Sequence, residues 1–157
     1  AAISKKNNIR YTIKFVEWGQ EVDLTKALIE ELNVQEYFHW VKLMPRKKLL
    51  DEYVQSCGVI DQFRMKAIGS ITIDALALGI PVFTNIDEKS FKNFFGSIPP
   101  IMNVSDSKTL SKKINFILNN KNDVLKIKKE SINWFDKYHS SSKILDIHGK
   151  AYSKVIK

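Results

Sequence analysis

Asp74 is the only charged residue in the run Ile71 to Leu78, whose other members are Ile, Thr, Ala and Leu. A helix that is apolar on nearly every face lies in a protein interior. A carboxylate on such a helix serves a ligand or complements the positive helix N-terminus. Gly69 and Ser70 open the run. The backbone N–H groups of Gly69, Ser70, Ile71 and Thr72 are therefore expected to point outward from a helix start, an arrangement that favours an anion such as phosphate. The same four residues can equally be a capped turn. Asp61 and Gln62 follow the apolar pair Val59-Ile60 and are expected to line the same crevice from a strand end.

The elements that must hold these residues follow from the flanking sequence. Val59-Ile60 reads as a short buried strand. Gly79 stands where a left-handed helix C-cap is wanted, and Pro81 prevents the helix from resuming. Pro81 to Thr84 is a second strand. Strand, glycine turn, buried helix, glycine stop and strand make one βαβ unit with a right-handed crossover. Its ligand crevice lies beyond the carboxyl ends of the strands.

Gly69, then Asp74-Ala75-Leu76-Ala77-Leu78-Gly79-Ile80-Pro81-Val82, resembles the Glu-Ala-Met-Ala-x-Gly-x-Pro-Val signature of GT-B glycosyltransferases, in particular the family 4 group. Trp18-Gly19 with Asp23, Glu31 to Val34 with Phe38 to Val41, Leu49-Leu50 with Tyr53 and Gly58 to Ile60, and Tyr138-His139 resemble further segments of that family in the same order. The resemblance implies a hexosyltransferase type of enzyme whose substrate is a nucleotide sugar, a UDP sugar among the choices, with no cofactor and no metal. It puts Asp74 against the ribose, whose two hydroxyls a carboxylate can both accept. It puts Arg46 and Met44 near the base. Lys66 falls where the family has the first Glu of its Glu-x7-Glu pattern, so the contact to the donor sugar is altered.

The resemblance implies that residues 1–157 are a C-terminal donor-binding domain, one half of a GT-B fold, whose partner domain carries the acceptor site. Alone, such a half is inactive. The family's first βα unit, with its glycine-rich diphosphate turn, has no counterpart before Tyr11. In the strand order 3-2-1-4-5-6, the strand Tyr11 to Val16 would then be the second. Its missing neighbour would leave a gap, to be filled by residues before Tyr11, a second copy or another polypeptide. Two other readings stand beside transfer: a fragment of a GT-B sugar-nucleotide epimerase, and a non-catalytic nucleotide-sugar-binding or scaffolding module, which Lys66 favours.

Composition bounds these readings. The chain has 157 residues, 44% hydrophobic and 27% charged, as in an ordinary soluble domain. The single cysteine, Cys57, excludes an intramolecular disulfide and a cysteine-based zinc site, and is expected as a buried thiol in a cytoplasmic protein. The net charge of +8 is uneven: residues 108–157 hold 12 Lys and Arg against 4 Asp and Glu, and residues 1–107 hold 13 against 13. The basic C-terminal helices are a solvated face or a surface for anionic lipid at the inner membrane face. They lack the interleaved aromatics of a nucleic-acid platform.

In chain order, Lys5 to Arg10 is expected as a loop, and Tyr11 to Val16 as a strand ended by Gly19. Asp23 should cap a helix with Leu24, Ala27, Leu28 and Leu32 inward. Tyr37 to Leu43 is a strand, with His39 packed in it, and Pro45 ends it. Arg46 to Ser56 is a helix with Leu49, Leu50, Tyr53 and Val54 inward. Asp87-Glu88 starts a short helix with Phe91, Phe94 and Phe95 on its apolar side, stopped by Gly96. Ser105 or Asp106 caps the next helix, Asn119 to Asn122 is a turn, and two further helices carry Val124, Ile127, Trp134 and Tyr138, then Ile144, His148, Ala151, Tyr152 and Val155. The fold class expected is α/β, a Rossmann-like parallel sheet with helices on both faces and a C-terminal helical tail.

Overall fold

A computed structural model describes residues 1–155. In order the elements are α1 (Ala2–Lys6), β1 (Ile13–Val16), α2 (Val22–Glu31), a 3-10 turn (Gln35–Tyr37), β2 (Phe38–Val41), α3 (Arg46–Val54), β3 (Val59–Ile60), α4 (Ser70–Leu78), β4 (Val82–Thr84), α5 (Glu88–Phe95), β5 (Met102–Asn103), α6 (Ser107–Asn119), α7 (Lys121–His139) and α8 (Ser141–Val155). Every strand pair is parallel, and the chain alternates strand and helix before ending in three helices. The expected α/β class is therefore observed. The strands form two sheets, β1-β2 and β3-β4-β5.

The βαβ unit at the centre is β3-α4-β4, with Val59 opposite Val82 and Ile60 opposite Phe83. All of β4 is buried, as the continuous apolar run of a two-sided parallel strand requires. Ala75, Leu76 and Val82 are fully buried with Val59, Ile80 and Trp134, so α4 lies between its sheet and α7. Gly79 makes this packing possible. Its φ is +67°, and a Cβ there would sit 2.6 Å from Lys128 Cγ and 3.0 Å from the Lys128 carbonyl oxygen. A second cluster joins Phe83, Met102 and Val104 to Ile117 of α6. A third packs Ile29 of α2 with Val34 and Tyr37, bordered by Ala1, Tyr11, Phe38 and Trp40. Asp87 and Asp106 cap α5 and α6 by accepting from Lys89 N–H and Thr109 N–H.

Several local expectations are corrected. Of Lys5 to Arg10, expected as loop, Lys5 and Lys6 end α1, which the buried Ser4 holds, and Asn7 to Arg10 is turn and loop. Asp23 lies in the first turn of α2, and Glu21 precedes the helix. Only Ile29 of α2 is buried; Leu24, Leu28 and Leu32 are exposed. Val54 and Phe94 also face solvent, and α5 packs through Phe95 on Trp134 and Tyr138 of α7. His39 is on the outer face of β2. Cys57 is exposed, since it lies in the turn between α3 and β3. The turn at Asn119 to Asn122 reduces to Asn120, which ends α6 and precedes α7 directly. The α8 residues Ile144, His148, Ala151, Tyr152 and Val155 are all exposed. Among the described residues no helix is long and apolar enough to cross a membrane.

Candidate functional site

The carboxyl end of β3 and the head of α4 meet through Asp61. Its Oδ2 accepts from the Thr72 hydroxyl at 2.6 Å and from the Gly69 N–H at 3.3 Å. Thr72 is fully buried and Asp61 half-buried. Gly69 is the residue before the helix, and a Cβ on it would sit 3.1 Å from Asp61 Oδ2, so a side chain there would need the carboxylate to shift by a few tenths of an ångström. A carboxylate at a helix N-terminus is stabilised by the unpaired N–H groups and the helix dipole. Asp61 thus uses one of the four backbone donors that the sequence offers to an anion, the Gly69 N–H, together with the Thr72 hydroxyl. Ser70 and Ile71 lie in the same first turn, whose N–H groups have no intrahelical acceptor.

Asp74 stands one turn further along α4 and is half-buried, its side chain 17% exposed. Arg46, the first residue of α3, donates through Nη2 to Asp74 Oδ1 at 2.5 Å. Both helices begin just beyond strand carboxyl ends, α3 after β2 and α4 after β3. Met44 is half-buried in the link between β2 and α3. Tyr53, two turns along α3 from Arg46, packs against the core cluster around Val59. Burial pushes its phenol pKa up, and the negative charges of Asp74 and Asp61 push it further. The structure therefore gathers Asp61, Gly69, Thr72, Asp74, Arg46 and Tyr53 on the α3–α4 side of the crevice. The sequence placed Tyr53 on the inward face of α3; the offset of seven residues from Arg46 was the available signal for its nearness to the site.

Gln62 and Lys66 are used differently. The Gln62 amide oxygen accepts from Met65 N–H at 2.7 Å and its amide nitrogen donates to the Ala67 carbonyl, so the side chain braces its own loop. The Gln62 carbonyl accepts from the Thr84 hydroxyl at 2.9 Å and from Asn85 N–H at 3.2 Å. Lys66 is exposed with φ 51°, and its carbonyl accepts from Asp87 N–H at 3.2 Å. The loop from Gln62 to Lys66 is thereby tied to the end of β4 and the start of α5. Asn85 and Asn103 complete this bracing, Asn85 by donating to the Phe63 carbonyl at 2.8 Å and Asn103 by accepting from Ile86 N–H at 3.0 Å. Sequence reasoning missed both asparagines; polar residues at or just beyond the carboxyl ends of β4 and β5 were their only signature. Among the described residues no group of three or more His, Cys, Asp or Glu side chains could hold a metal ion. A hollow between α2 and β2, lined by Lys26, Ile29, Phe38 and Trp40, does not include any of the site residues.

The whole arrangement matches a known architecture. The chain superposes on the sucrose-phosphate synthase from Thermosynechococcus elongatus with a TM-score of 0.76, over 98% of this chain and 41% of the synthase, at 16% identity. The fold is that of part of a GT-B glycosyltransferase. The chain spans less than half the length of the synthase, and at this identity the likeness speaks for fold alone. No protein-family model matches the sequence, and no curated protein matches it. The GT-B expectation is thus met in the architecture, and the likeness does not distinguish the family 4 group within it.

Proposed function

We infer that the chain is the donor-binding part of a glycosyltransferase, with a nucleoside diphosphate sugar as its substrate. The observation that carries this is Asp74, a half-buried carboxylate on the inner helix of a GT-B-like half, close to the strand carboxyl ends. Its carboxylate accepts the two ribose hydroxyls, and the Arg46 guanidinium leaves it to meet the base or a phosphate. That exchange costs little, because the Arg46 side chain is 72% exposed and such an ion pair contributes only about 0–1 kcal/mol. The Ser70 and Ile71 N–H groups lie at the helix start to receive a phosphate oxygen. Transfer on such a site rests on positioning and on neutralising the departing nucleoside diphosphate. The acceptor and the opposite wall of the cleft belong to a further domain of the GT-B kind, and the family 4 group remains the family we assign.

A second reading is favoured by one feature. Asp61 occupies the head of α4, and Lys66 faces solvent where a sugar-binding carboxylate is expected. A fixed negative charge beside the phosphate position lowers affinity for a diphosphate, which suits a non-catalytic module better than a transferase. Isothermal titration with UDP, GDP, ADP and their glucose conjugates separates the readings. The donor-binding reading expects one nucleotide series to bind and Asp74→Asn to weaken it at least about tenfold, the factor that 1.4 kcal/mol of lost interaction gives. Absence of binding by all six compounds, or equal affinity in the variant, sinks it.

A further inference from the structure

Polar groups follow one another across the strand carboxyl ends. Arg46 and Asp74 meet where α3 faces α4. The first turn of α4 comes next, with the Ser70 and Ile71 N–H groups. Lys66 lies beyond it, on the β4–α5 side, because its carbonyl accepts from Asp87 N–H at 3.2 Å and Asp87 caps α5. The Asp87 carboxyl is held below its ordinary value first by the Ser90 hydroxyl, then by the Lys89 and Ser90 N–H groups and by the positive charge of Lys66. That charge therefore acts at the end of β4. Lys66 stands three positions before Gly69, a reach of at most about 11 Å from the head of α4.

The loop that presents Lys66 is fixed by hydrogen bonds of its own. Gln62 spans it from Met65 N–H to the Ala67 carbonyl, and Asn85 holds the Phe63 carbonyl. Lys66 itself is kept in left-handed backbone at φ 51°, which lysine seldom adopts. Such a conformation persists where its surroundings over-determine it, and it clusters at binding sites. The loop shows solvent Arg64, Met65 and Lys66. Residues 62–68 contain two cations and no acidic side chain. Among the described residues neither Arg64 nor Lys66 has an ion-pair partner. Asp87 is committed elsewhere, to Lys89 N–H and the Ser90 hydroxyl.

We propose that Lys66, with Arg64 beside it, selects a donor whose transferred sugar carries a carboxylate, the uronic acid class. This rests on the donor-binding reading of Asp74. A nucleotide sugar with its ribose on Asp74 and a phosphate oxygen at the head of α4 runs on toward Lys66, so its sugar lies against the loop. The helix N–H groups and Arg46 already face the phosphates, which leaves Lys66 for charge at the other end of the donor. An ammonium offers three donors and no acceptor, so it cannot receive the hydroxyl protons of a neutral sugar. The one amide of the loop, on Gln62, is turned inward on Met65 and Ala67 and receives none either. A sugar carboxylate, by contrast, gives the ammonium a charge-assisted hydrogen bond, roughly twice as strong as a neutral one.

Isothermal titration of the full-length protein at low salt tests this with UDP, GDP and ADP, each free and as its glucose and glucuronate conjugates. The two sugars differ only in a carboxylate for a hydroxymethyl group. In the nucleotide series that binds, the glucuronate conjugate is expected to bind at least about tenfold more tightly than the glucose conjugate, the scale of one hydrogen bond to a charged group. Lys66→Asn removes the charge and keeps a residue that tolerates left-handed backbone. It should cut the preference to about twofold or less and leave the affinity for the free nucleoside diphosphate within about twofold. A glucose conjugate that binds as tightly as the glucuronate overturns the proposal, leaves the donor-binding reading standing and assigns the two cations to another ligand, such as an acidic acceptor. A preference that survives in Lys66→Asn also overturns it. Absence of binding by every compound overturns the proposal and the donor-binding reading together.

Discussion

Thr72 Oγ1 and Asp61 Oδ2 lie 2.6 Å apart, and this bond fastens the end of β3 to the first turn of α4. Thr72→Val keeps the shape and removes the donor. It should cost about 1–3 kcal/mol in urea unfolding, because a carboxylate loses its side-chain partner. Thr72→Ser keeps the hydroxyl and should cost less. A larger loss in Thr72→Ser than in Thr72→Val would show that the methyl group, not the hydrogen bond, carries the effect.

Among the described residues Arg46, at the start of α3, and Asp74 form the one ion pair between α3 and α4. A double-mutant cycle with Arg46→Ala and Asp74→Asn should give a coupling of no more than about 1 kcal/mol, since the guanidinium is mostly in water. A larger coupling would mean that Asp74 is committed to the fold, which is hard to reconcile with a ligand taking it.

Gly79 and Gly96 both adopt left-handed backbone, with φ +67° and +74°, but their surroundings differ. Alanine at either costs about 1–2 kcal/mol for the conformation alone. At Gly96 no atom lies within 4 Å of the added Cβ, whereas at Gly79 it meets Lys128. Gly79→Ala should therefore exceed Gly96→Ala by about 1 kcal/mol or more, the scale of overpacking a filled site. Thermal or chemical denaturation of the pair reads this directly.

His139 sits among the rings of Phe95, Trp134 and Phe135, with Nε2 buried and without a hydrogen-bond partner among the described residues. Burial pushes its pKa below the ordinary histidine value. The unfolded chain then binds a proton that the folded chain refuses, so stability is full above about pH 6.5 and is lost as pH falls toward the lowered folded value. His139→Phe should flatten this part of the profile in urea unfolding at pH 5 and 7. An unchanged slope would assign the pH dependence to other groups.

Much of the central unit could be read from residue order. Gly69, Gly79 and Pro81 bracket a largely apolar run of helical length, and the bounds of α4 follow from these local backbone preferences. The caps at Asp87 and Asp106 were legible for the same reason: an acidic side chain reaches N–H groups only two or three residues away. The failures lie where a neighbour decides. Leu24, Leu28 and Leu32 form a proper apolar stripe, but what covers a stripe is a property of the assembly, and here it is bare.

The sequence by itself determined the alternation of strands and helices, the interior helix with its lone Asp74, and the uneven charge of the C-terminal helices. These depend on spacing along the chain, on glycine and proline, and on short-range capping. Only the tertiary structure decided that Asp61 takes the Gly69 N–H and the Thr72 hydroxyl, that Arg46 meets Asp74 across 28 positions, and that the strands part into two sheets. Those outcomes depend on which donors and edges come within 3 Å or so of one another, and no local pattern encodes a distance between residues that are far apart in the chain.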